Sequence, residues 1–124
     1  MEKKKILLVD DDVDFTALLK AKLESTGRYE VRVENQGSSG HRTAKDFRPD
    51  LILMDVDMPD MEGSEVAEQI MEDPELNVPI VFLTSIVNAK EVESHGGLIG
   101  GRRFISKGSS PQSIVESVER LLAS

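Results

Sequence analysis

An uninterrupted apolar run at residues 51–54 is the feature that most constrains the fold. Pro49 lies before this run and Pro59 beyond it, and no polar residue alternates within it. Such a pattern is typical of a strand buried on both faces, as in a parallel sheet covered by helices. Asp55 follows directly, at the strand's carboxyl end, where open α/β sheets bind ligands. The alternative at this point is that Asp55 only begins a turn.

Four more segments are predicted to be strands. Apolar runs at residues 6–9 and 79–83 also indicate buried strands, and residues 102–106 form a short last strand. Residues 29–34 alternate strictly between apolar and polar, which predicts a strand with one solvated face near a sheet edge.

Helical segments separate these strands. Apolar residues recur at helical spacing in three segments: residues 13–23, which include Leu18, the residues after Gly63, which include Met71, and residues 114–122. Two weaker helices are predicted at about residues 38–46 and 88–94. The glycine-rich residues 95–101 are expected to be a flexible connector rather than a phosphate-binding loop. Strands that alternate with helices predict a doubly wound α/β domain with a parallel sheet.

Composition narrows the function classes. The chain has 124 residues and a formal net charge of −8, which argues against direct binding to nucleic acid or to anionic membranes, because both need a basic surface. It has no cysteine, which excludes disulfides and thiolate zinc sites and suits a reducing cytoplasm. No apolar run is long enough for a signal peptide or a membrane span, so we expect a cytoplasmic protein.

The residues just beyond the predicted strands form a chemically specific set. They are Asp10 and Asp11 after the first strand, Asp55 after the third, Thr84 after the fourth and Lys107 after the fifth. In a parallel sheet, all of them fall on one rim. Clustered carboxylates repel one another, and a bound Mg²⁺ would relieve that repulsion. This ion takes oxygen ligands and is often bound together with phosphate groups. An ammonium and a hydroxyl suit phosphoryl oxygens, and a carboxylate can itself serve as a nucleophile.

Helix capping is an alternative account of the acidic residues 10–12. Asp12 or Asp14 would cap the following helix, and acids in the first turn favour the helix dipole. Capping would explain one or two of these carboxylates. It would not explain why all three stand at the carboxyl end of a strand.

At these positions the chain resembles the response-regulator receiver domain, in its chemotaxis-regulator-like form. The resemblance covers essentially the whole chain. It rests on Val9-Asp10-Asp11, residues 49–55, Met58-Pro59 with Gly63, Val78-Pro79 with Thr84, and Phe104 with Lys107. It implies a single receiver domain over residues 1–124, with a flavodoxin-like fold: a doubly wound, five-stranded parallel sheet in the order 2-1-3-4-5, with helices on both faces.

The resemblance also implies a role for each acidic residue. Asp55 would accept a phosphoryl group from a sensor histidine kinase or a histidine phosphotransfer protein. Asp11 and Asp55 would ligate Mg²⁺ by their side chains, and Asp10 would act through a coordinated water. Asp57 would lend its backbone carbonyl to the metal, and Lys107 would bridge Asp55 and the phosphoryl group.

A two-state switch is the further implication. Thr84 would swing toward a phosphoryl oxygen and Phe104 would change rotamer with it, which biases an existing equilibrium. The readout face would be the fourth helix, fifth strand and fifth helix, at roughly residues 88–122. Its partner would be a downstream protein in trans or an output domain outside this chain, and a phosphorylation-dependent homodimer is a further expectation.

The chain departs from the family's pattern in two places. Gly108 stands where the family usually has proline, often with a cis bond before it. A cis bond without proline costs about 3–4 kcal/mol, so we predict a trans Lys107–Gly108 bond and a reshaped loop. Residues 100–103 also differ from the family's small residues, and with Gly96 and Gly97 they predict a loose fourth-helix region.

Two other functions stay open. Asp55 and Asp57 form the Asp-x-Asp of haloacid-dehalogenase-like Mg²⁺-dependent phosphatases, although that motif normally follows the first strand and the chain lacks room for a substrate cap. The other alternative is a receiver-like protein-binding module that is never phosphorylated. Gly108 favours this module, whereas the retained acids, Thr84 and Lys107 argue against it. On the favoured interpretation the protein is a phosphoacceptor and not an enzyme.

Overall fold

The computed structural model describes residues 2–85, 98–99 and 102–123. The strands found there are β1 (Lys4–Val9), β2 (Tyr29–Glu34), β3 (Leu51–Asp55), β4 (Ile80–Thr84), β5 (Leu98–Ile99) and β6 (Arg102–Ser106). The helices are α1 (Val13–Ser25), α2 (Gly40–Phe47), α3 (Gly63–Glu72) and the C-terminal helix (Pro111–Ala123), with a 3₁₀ turn at Gly37–Ser39 before α2.

The strands form one sheet in the order β2-β1-β3-β4-β6-β5. The first five of these pair in parallel, which confirms the predicted five-stranded sheet and its order, with β6 as the predicted last strand. The two residues of β5 pair antiparallel to β6, although they were expected to belong to a flexible connector. Two residues are too few to show a strand period, so the sequence could not indicate this strand. The rest of that connector and the predicted helix at residues 88–94 lie outside the described residues.

Apolar side chains are buried on both faces of the sheet. On one face, α1 and the C-terminal helix pack Leu19 and Val118 against the strands. On the other, α2 and α3 contribute Phe47 and Ile70. All residues of β3 are buried, as the uninterrupted apolar run predicts. A fully buried Leu or Ile contributes about 1.5–3 kcal/mol, so this central strand ties the two layers together.

Two apolar residues that share the helical spacing are solvent-exposed. Leu18 on α1 is 52% exposed and Met71 on α3 is 55% exposed. Each lies directly beside a buried residue, Leu19 and Ile70 respectively. Spacing alone assigns a broad apolar stripe to a helix, whereas the sheet contacts only a narrower part of it. The helical spacing therefore indicates α1 and α3 correctly, but not every apolar residue that follows it is buried.

The helix ends follow local rules that place the loops around the sheet edge. The Asp12 carboxylate caps α1 by accepting a hydrogen bond from the Phe15 backbone N–H at 3.0 Å, as predicted for Asp12. Gly27, beyond the end of α1, adopts the left-handed conformation with φ of 77°. The helix α3 ends before Pro74, which has no N–H to continue it. Among the described residues, none of the helices has the length and apolarity needed to cross a bilayer.

Gly63 sets the course of the chain after β3. Its backbone N–H donates to the Val56 carbonyl at 2.9 Å, which brings the start of α3 against the end of the strand. A Cβ atom at this position would overlap the Asp55 carbonyl oxygen. Only glycine therefore allows α3 to begin this close to Asp55.

Replacing Gly63 by alanine should force the loop away from β3. We expect Gly63→Ala to lower the free energy of unfolding by about 1–3 kcal/mol, because backbone cannot yield as a flexible side chain can. Urea denaturation followed by circular dichroism measures this change. Gly108→Ala is the matched control, since its Cβ would meet only the Ser106 hydroxyl at an ordinary 3.4 Å. Equal stability of the two variants would contradict this account of Gly63.

Candidate functional site

The carboxyl ends of the four central strands gather polar residues at one edge of the sheet. Asp10 directly follows β1, and Asp55 is the last residue of β3. Thr84 is the last residue of β4, and Lys107 directly follows β6. These strands are neighbours in the order β1-β3-β4-β6 and run in parallel, so their ends meet. The structure thus places these side chains on the rim where the sequence predicted them.

Three carboxylates form the centre of this edge. Asp10, Asp11 and Asp55 each offer an oxygen, and these oxygens lie within 4.8 Å of one another. Asp10 is 0% exposed and Asp55 is 6% exposed, whereas Asp11 faces solvent. The Oδ2 atom of Asp10 is buried without a hydrogen bond. Oxygen donors held this close suit a hard cation such as Mg²⁺, and the unsatisfied oxygen strengthens that fit.

Burial and repulsion act together on Asp55. Its removal from water, and next the charge of Asp10, raise the pKa of Asp55 to about 7, although the Lys107 ammonium opposes this. Both effects disfavour the ionised carboxylate. A divalent cation at the cluster would reverse the balance by stabilising the charged form. Asp55 is therefore a carboxyl group whose protonation state at neutral pH depends on its ionic neighbours.

Lys107 is the cation that faces these carboxylates. Its Nζ atom lies 2.9 Å from Asp10 Oδ2, in an ion pair without hydrogen-bond geometry, and 3.9 Å from Asp55 Oδ1. The same atom donates a hydrogen bond to Asp10 Oδ1 at 3.2 Å. Burial alone would lower the pKa of Lys107, but Asp10 and Asp55 outweigh it and raise the pKa. Lys107 therefore remains an ammonium group, and it is closer to Asp10 than to Asp55.

The backbone around Lys107 is fixed by short-range hydrogen bonds. The Lys107 N–H donates to the Thr84 carbonyl at 2.8 Å, and the Gly108 N–H donates to the Ser106 hydroxyl at 3.1 Å. The peptide bond between Lys107 and Gly108 is trans, as predicted. The ring of Phe15 lies beside the ammonium group, with its centroid 4.7 Å from Nζ.

Thr84 and Phe104, the two predicted switch residues, lie on the paired strands β4 and β6. Thr84 is buried and pairs in register with Ser106, two residues beyond Phe104. Phe104 is half-buried and contacts Phe82, with ring centroids 5.5 Å apart. Phe82 is the register partner of Phe104 and lies on the same face of β4 as Thr84. The two predicted switch residues are therefore not register partners: Phe104 pairs with Phe82, and Thr84 pairs with Ser106.

Asp57 is the one predicted acidic residue whose side chain is outside the carboxylate cluster. It is exposed, and the group of three carboxylates does not include it. The resemblance assigns only the backbone carbonyl of Asp57 to the metal. The position of the side chain does not test that assignment, which stays a prediction.

Two polar side chains that the sequence did not single out brace the site. Asn35 Nδ2 donates to the Asp10 carbonyl at 2.8 Å and to the Thr16 hydroxyl at 3.1 Å. Asp60 accepts from the backbone N–H groups of Gly37 at 3.1 Å and Ser38 at 3.0 Å. These contacts join segments that are distant in sequence, so no local pattern could have indicated them.

Comparison with known proteins gives a consistent result. The sequence matches the family model of the response regulator receiver domain over residues 6–119. It is 34% identical to the alkaline phosphatase synthesis transcriptional regulatory protein PhoP of Bacillus subtilis, over 96% of this chain and 48% of PhoP. It is 30% identical to protein PilH of Pseudomonas aeruginosa, over 96% of this chain and 98% of PilH. The chain therefore spans about half of the first relative and nearly all of the second.

A solved structure has the same fold. The crystal structure of a CheY-like response regulator receiver domain protein from Methanospirillum hungatei superimposes with a TM-score of 0.77 and 27% identity. The match covers 98% of this chain and 95% of that protein. The likeness therefore extends through the whole sheet and its helices.

The raised pKa of Asp55 predicts a pH dependence of stability in the metal-free protein. The folded state holds a proton that the unfolded chain releases between its ordinary carboxyl pKa and about 7. The contribution of Asp55 to stability therefore falls as the pH rises through that window. We expect Asp55→Asn to remove part of this decline, measured by urea denaturation in chelator between about pH 5 and pH 8.

The exposed Asp46 provides the matched control for this measurement. The stability of Asp46→Asn should decline with pH as that of the unchanged protein does, because the Asp46 side chain is exposed and lies outside the carboxylate cluster. Added Mg²⁺ should restore stability at the upper end of the range in the unchanged protein, and much less in Asp55→Asn. Identical pH profiles for all three proteins would show that Asp55 titrates normally.

Proposed function

The chain belongs to the response regulator receiver domain family, and we propose that it receives a phosphoryl group on the carboxylate of Asp55. Receiver domains of this family are the phosphoacceptors of two-component response regulators. One observation carries the assignment to Asp55: it is a nearly buried carboxyl group within reach of two other carboxylates and of the Lys107 ammonium. Asp10 shares these neighbours, but it is fully buried and already held by Lys107 at 2.9 Å, whereas Asp55 keeps 6% of its surface exposed and lies 3.9 Å from the ammonium.

The proposed reaction moves one phosphoryl group between two side chains. An oxygen of the Asp55 carboxylate attacks the phosphorus of a phosphohistidine on a kinase or phosphotransfer protein. The phosphorus–nitrogen bond breaks as the oxygen–phosphorus bond forms, and the imidazole nitrogen keeps the electron pair and takes a proton from water. Asp55 must be ionised to attack, so the groups that favour its charged form also favour the transfer.

The carboxylate cluster supports a role for Mg²⁺. Asp11 and Asp55 would hold the ion by their side chains, Asp10 through a water, and Asp57 by its backbone carbonyl. The ion supplies positive charge that offsets the charge of the carboxylates and of the incoming phosphoryl oxygens. The close approach of the three carboxylates is the observation in favour of it, together with the Asp10 Oδ2 atom, which is buried without a hydrogen bond and has only the ion pair with Lys107.

Lys107 and Thr84 would stabilise the product. The Lys107 ammonium is now closer to Asp10, and its Nζ atom lies 3.9 Å from Asp55 Oδ1. After phosphorylation it would turn to a phosphoryl oxygen on Asp55. The Thr84 hydroxyl would donate to a second oxygen. Movement of Thr84 would then be passed through Phe82 to Phe104, along the register that joins β4 and β6. The result would be a shift in an existing equilibrium on the readout face, of which β6 and the C-terminal helix belong to the described part of the chain.

The proposal extends to partners and compartment. The donor is a sensor histidine kinase or a histidine phosphotransfer protein, and the chain acts as one receiver domain in the cytoplasm. Its output passes to another protein, to an output domain or to a second copy of itself. We infer that the chain takes one phosphoryl group and does not turn over a phosphate ester. The position of the Asp57 side chain outside the carboxylate cluster supports this over the phosphatase alternative, whose Asp-x-Asp motif needs the second carboxylate beside the first.

The direct test is intact mass spectrometry after incubation with acetyl phosphate and Mg²⁺. We expect one phosphoryl adduct per chain that needs Mg²⁺ and that is absent in Asp55→Asn. Asp46→Asn, with an exposed carboxyl group on α2, is the matched control and should keep the adduct. An adduct that persists in Asp55→Asn would refute the assignment. No adduct, even with a histidine kinase, would favour the binding-module alternative, and continued release of phosphate from an ester would favour the phosphatase.

A second prediction concerns the loop that carries Asp57. Asp60 ties this loop to the turn before α2 by two hydrogen bonds, so Asp60→Ala should leave the Asp57 carbonyl poorly placed. We expect the affinity for Mg²⁺ to fall about tenfold, as is usual when an outer partner of a metal site is lost. Isothermal titration calorimetry measures the affinity, with Asp46→Ala as the control. An unchanged affinity in a folded Asp60→Ala protein would rule out this bracing role.

A further inference from the structure

The ring of Phe15 is a neighbour of Lys107 that the phosphoryl-transfer set does not use. Its centroid lies 4.7 Å from the Lys107 Nζ atom. The lysine side chain is only 16% exposed, so this contact is largely shielded from water. The carboxylates of Asp10 and Asp55 lie 2.9 and 3.9 Å from the ammonium, and the charge of Asp12 also acts on it. A cation beside an aromatic ring at this distance is attracted by the ring's quadrupole, and more strongly when water is excluded.

The acidic run that supplies the carboxylates also fixes this ring. Asp12 accepts a hydrogen bond from the Phe15 N–H at 3.0 Å, and its own N–H donates to Asp10 Oδ1 at 3.0 Å. Phe15 therefore stands in the first turn of α1 at a defined height above the sheet edge. The ring also packs against the buried cluster beneath α1. The Asp12 cap on the Phe15 N–H and the packing against this cluster both hold Phe15 without involving Lys107.

The ammonium needs such a fixed neighbour because its ionic partner must change. Asp10 now holds Nζ at 2.9 Å, whereas Asp55, the proposed acceptor, is 3.9 Å away. The residue that follows is Gly108, which restrains the backbone less than any side-chain-bearing residue would. An aromatic face attracts the ammonium without forming an ion pair with it, so the ammonium stays able to pair with a carboxylate or a phosphoryl oxygen. The attraction can therefore persist while the N–H donors pass from Asp10 to a phosphoryl oxygen.

We propose that Phe15 is a positioning residue for phosphoryl transfer: its ring keeps the Lys107 ammonium beside Asp55 while the ammonium exchanges partners. The inference rests on the proposed function, since it concerns the same reaction. It assigns to Phe15 a role through Lys107 and no contact with the phosphoryl group.

A double-mutant cycle tests the dependence on Lys107. Phe15→Met keeps a large apolar side chain but removes the ring, and Phe15→Tyr keeps the ring. With acetyl phosphate and Mg²⁺, we expect Phe15→Met to slow adduct formation about three- to tenfold, and Phe15→Tyr to restore the rate. In a Lys107→Met background the same substitution should change the rate by less than about twofold. An equal loss in both backgrounds, or no loss in either, would overturn the proposal.

Graded fluorination separates electrostatics from packing. Fluorine substituents placed site-specifically on Phe15 weaken the negative ring face while nearly keeping its shape, so folding should be preserved. The rate should fall steadily with the number of fluorines. Phe47 is the matched control, because Arg32 lies 4.5 Å from its ring centroid and the ring lies near Lys5 in β1, away from the carboxylates. A rate that is insensitive to fluorination at Phe15, or equally sensitive at Phe47, would contradict the proposal.

Nuclear magnetic resonance gives a readout that does not depend on phosphorylation. Protons over a ring face are shifted upfield, so the Lys107 ε-protons should be shielded in the unchanged protein and lose that shift in Phe15→Met. The shift should persist when Mg²⁺ is added. Loss of the shift with Mg²⁺ would overturn the inference even if Asp55 is phosphorylated. A persistent shift in a protein that forms no adduct would instead locate the failure in the proposed function.

Discussion

The mutual repulsion of buried carboxylates is the constraint on which this structure depends. Asp10 and Asp55 are both nearly inaccessible to water, and their oxygens lie within 4.8 Å of each other and of Asp11. Among the described residues, the ammonium of Lys107 is the cation paired with them. Burial and, next, the charge of Asp10 raise the pKa of Asp55 to about 7, and the single positive charge of Lys107 does not offset them. A site with this imbalance favours whatever brings further positive charge.

The sheet explains how chemically unlike residues reach this arrangement from distant parts of the sequence. The carboxyl ends of parallel strands lie at the same edge of the sheet. Asp55 and Lys107 are therefore close in space although more than fifty residues separate them in the sequence. Gly63 lets α3 start directly against Asp55, and Asn35 and Asp60 tie neighbouring loops to the same edge. Precise placement of the carboxylates therefore comes from the core and its loops together.

Much of this could be predicted from the sequence because it depends on local patterns. The apolar run before Asp55 indicated the buried strand, and the position of each polar residue after a strand indicated the shared edge. Leu18 and Met71 show where such patterns fail, since spacing does not say how wide the buried stripe is. The contact of Phe15 with Lys107 and the two-residue strand β5 depend on tertiary packing, for which the sequence has no periodic signal.

The carboxylates at this edge are held in an unfavourable charge balance, which a bound cation would relieve. Calorimetric titration of the protein with Mg²⁺, in buffers of different ionisation enthalpy, counts the protons released on binding. Because the pKa of Asp55 is raised to about 7, binding near neutral pH should release a fraction of a proton, and the release should vanish in alkaline buffer. Binding without proton release at neutral pH would contradict the account.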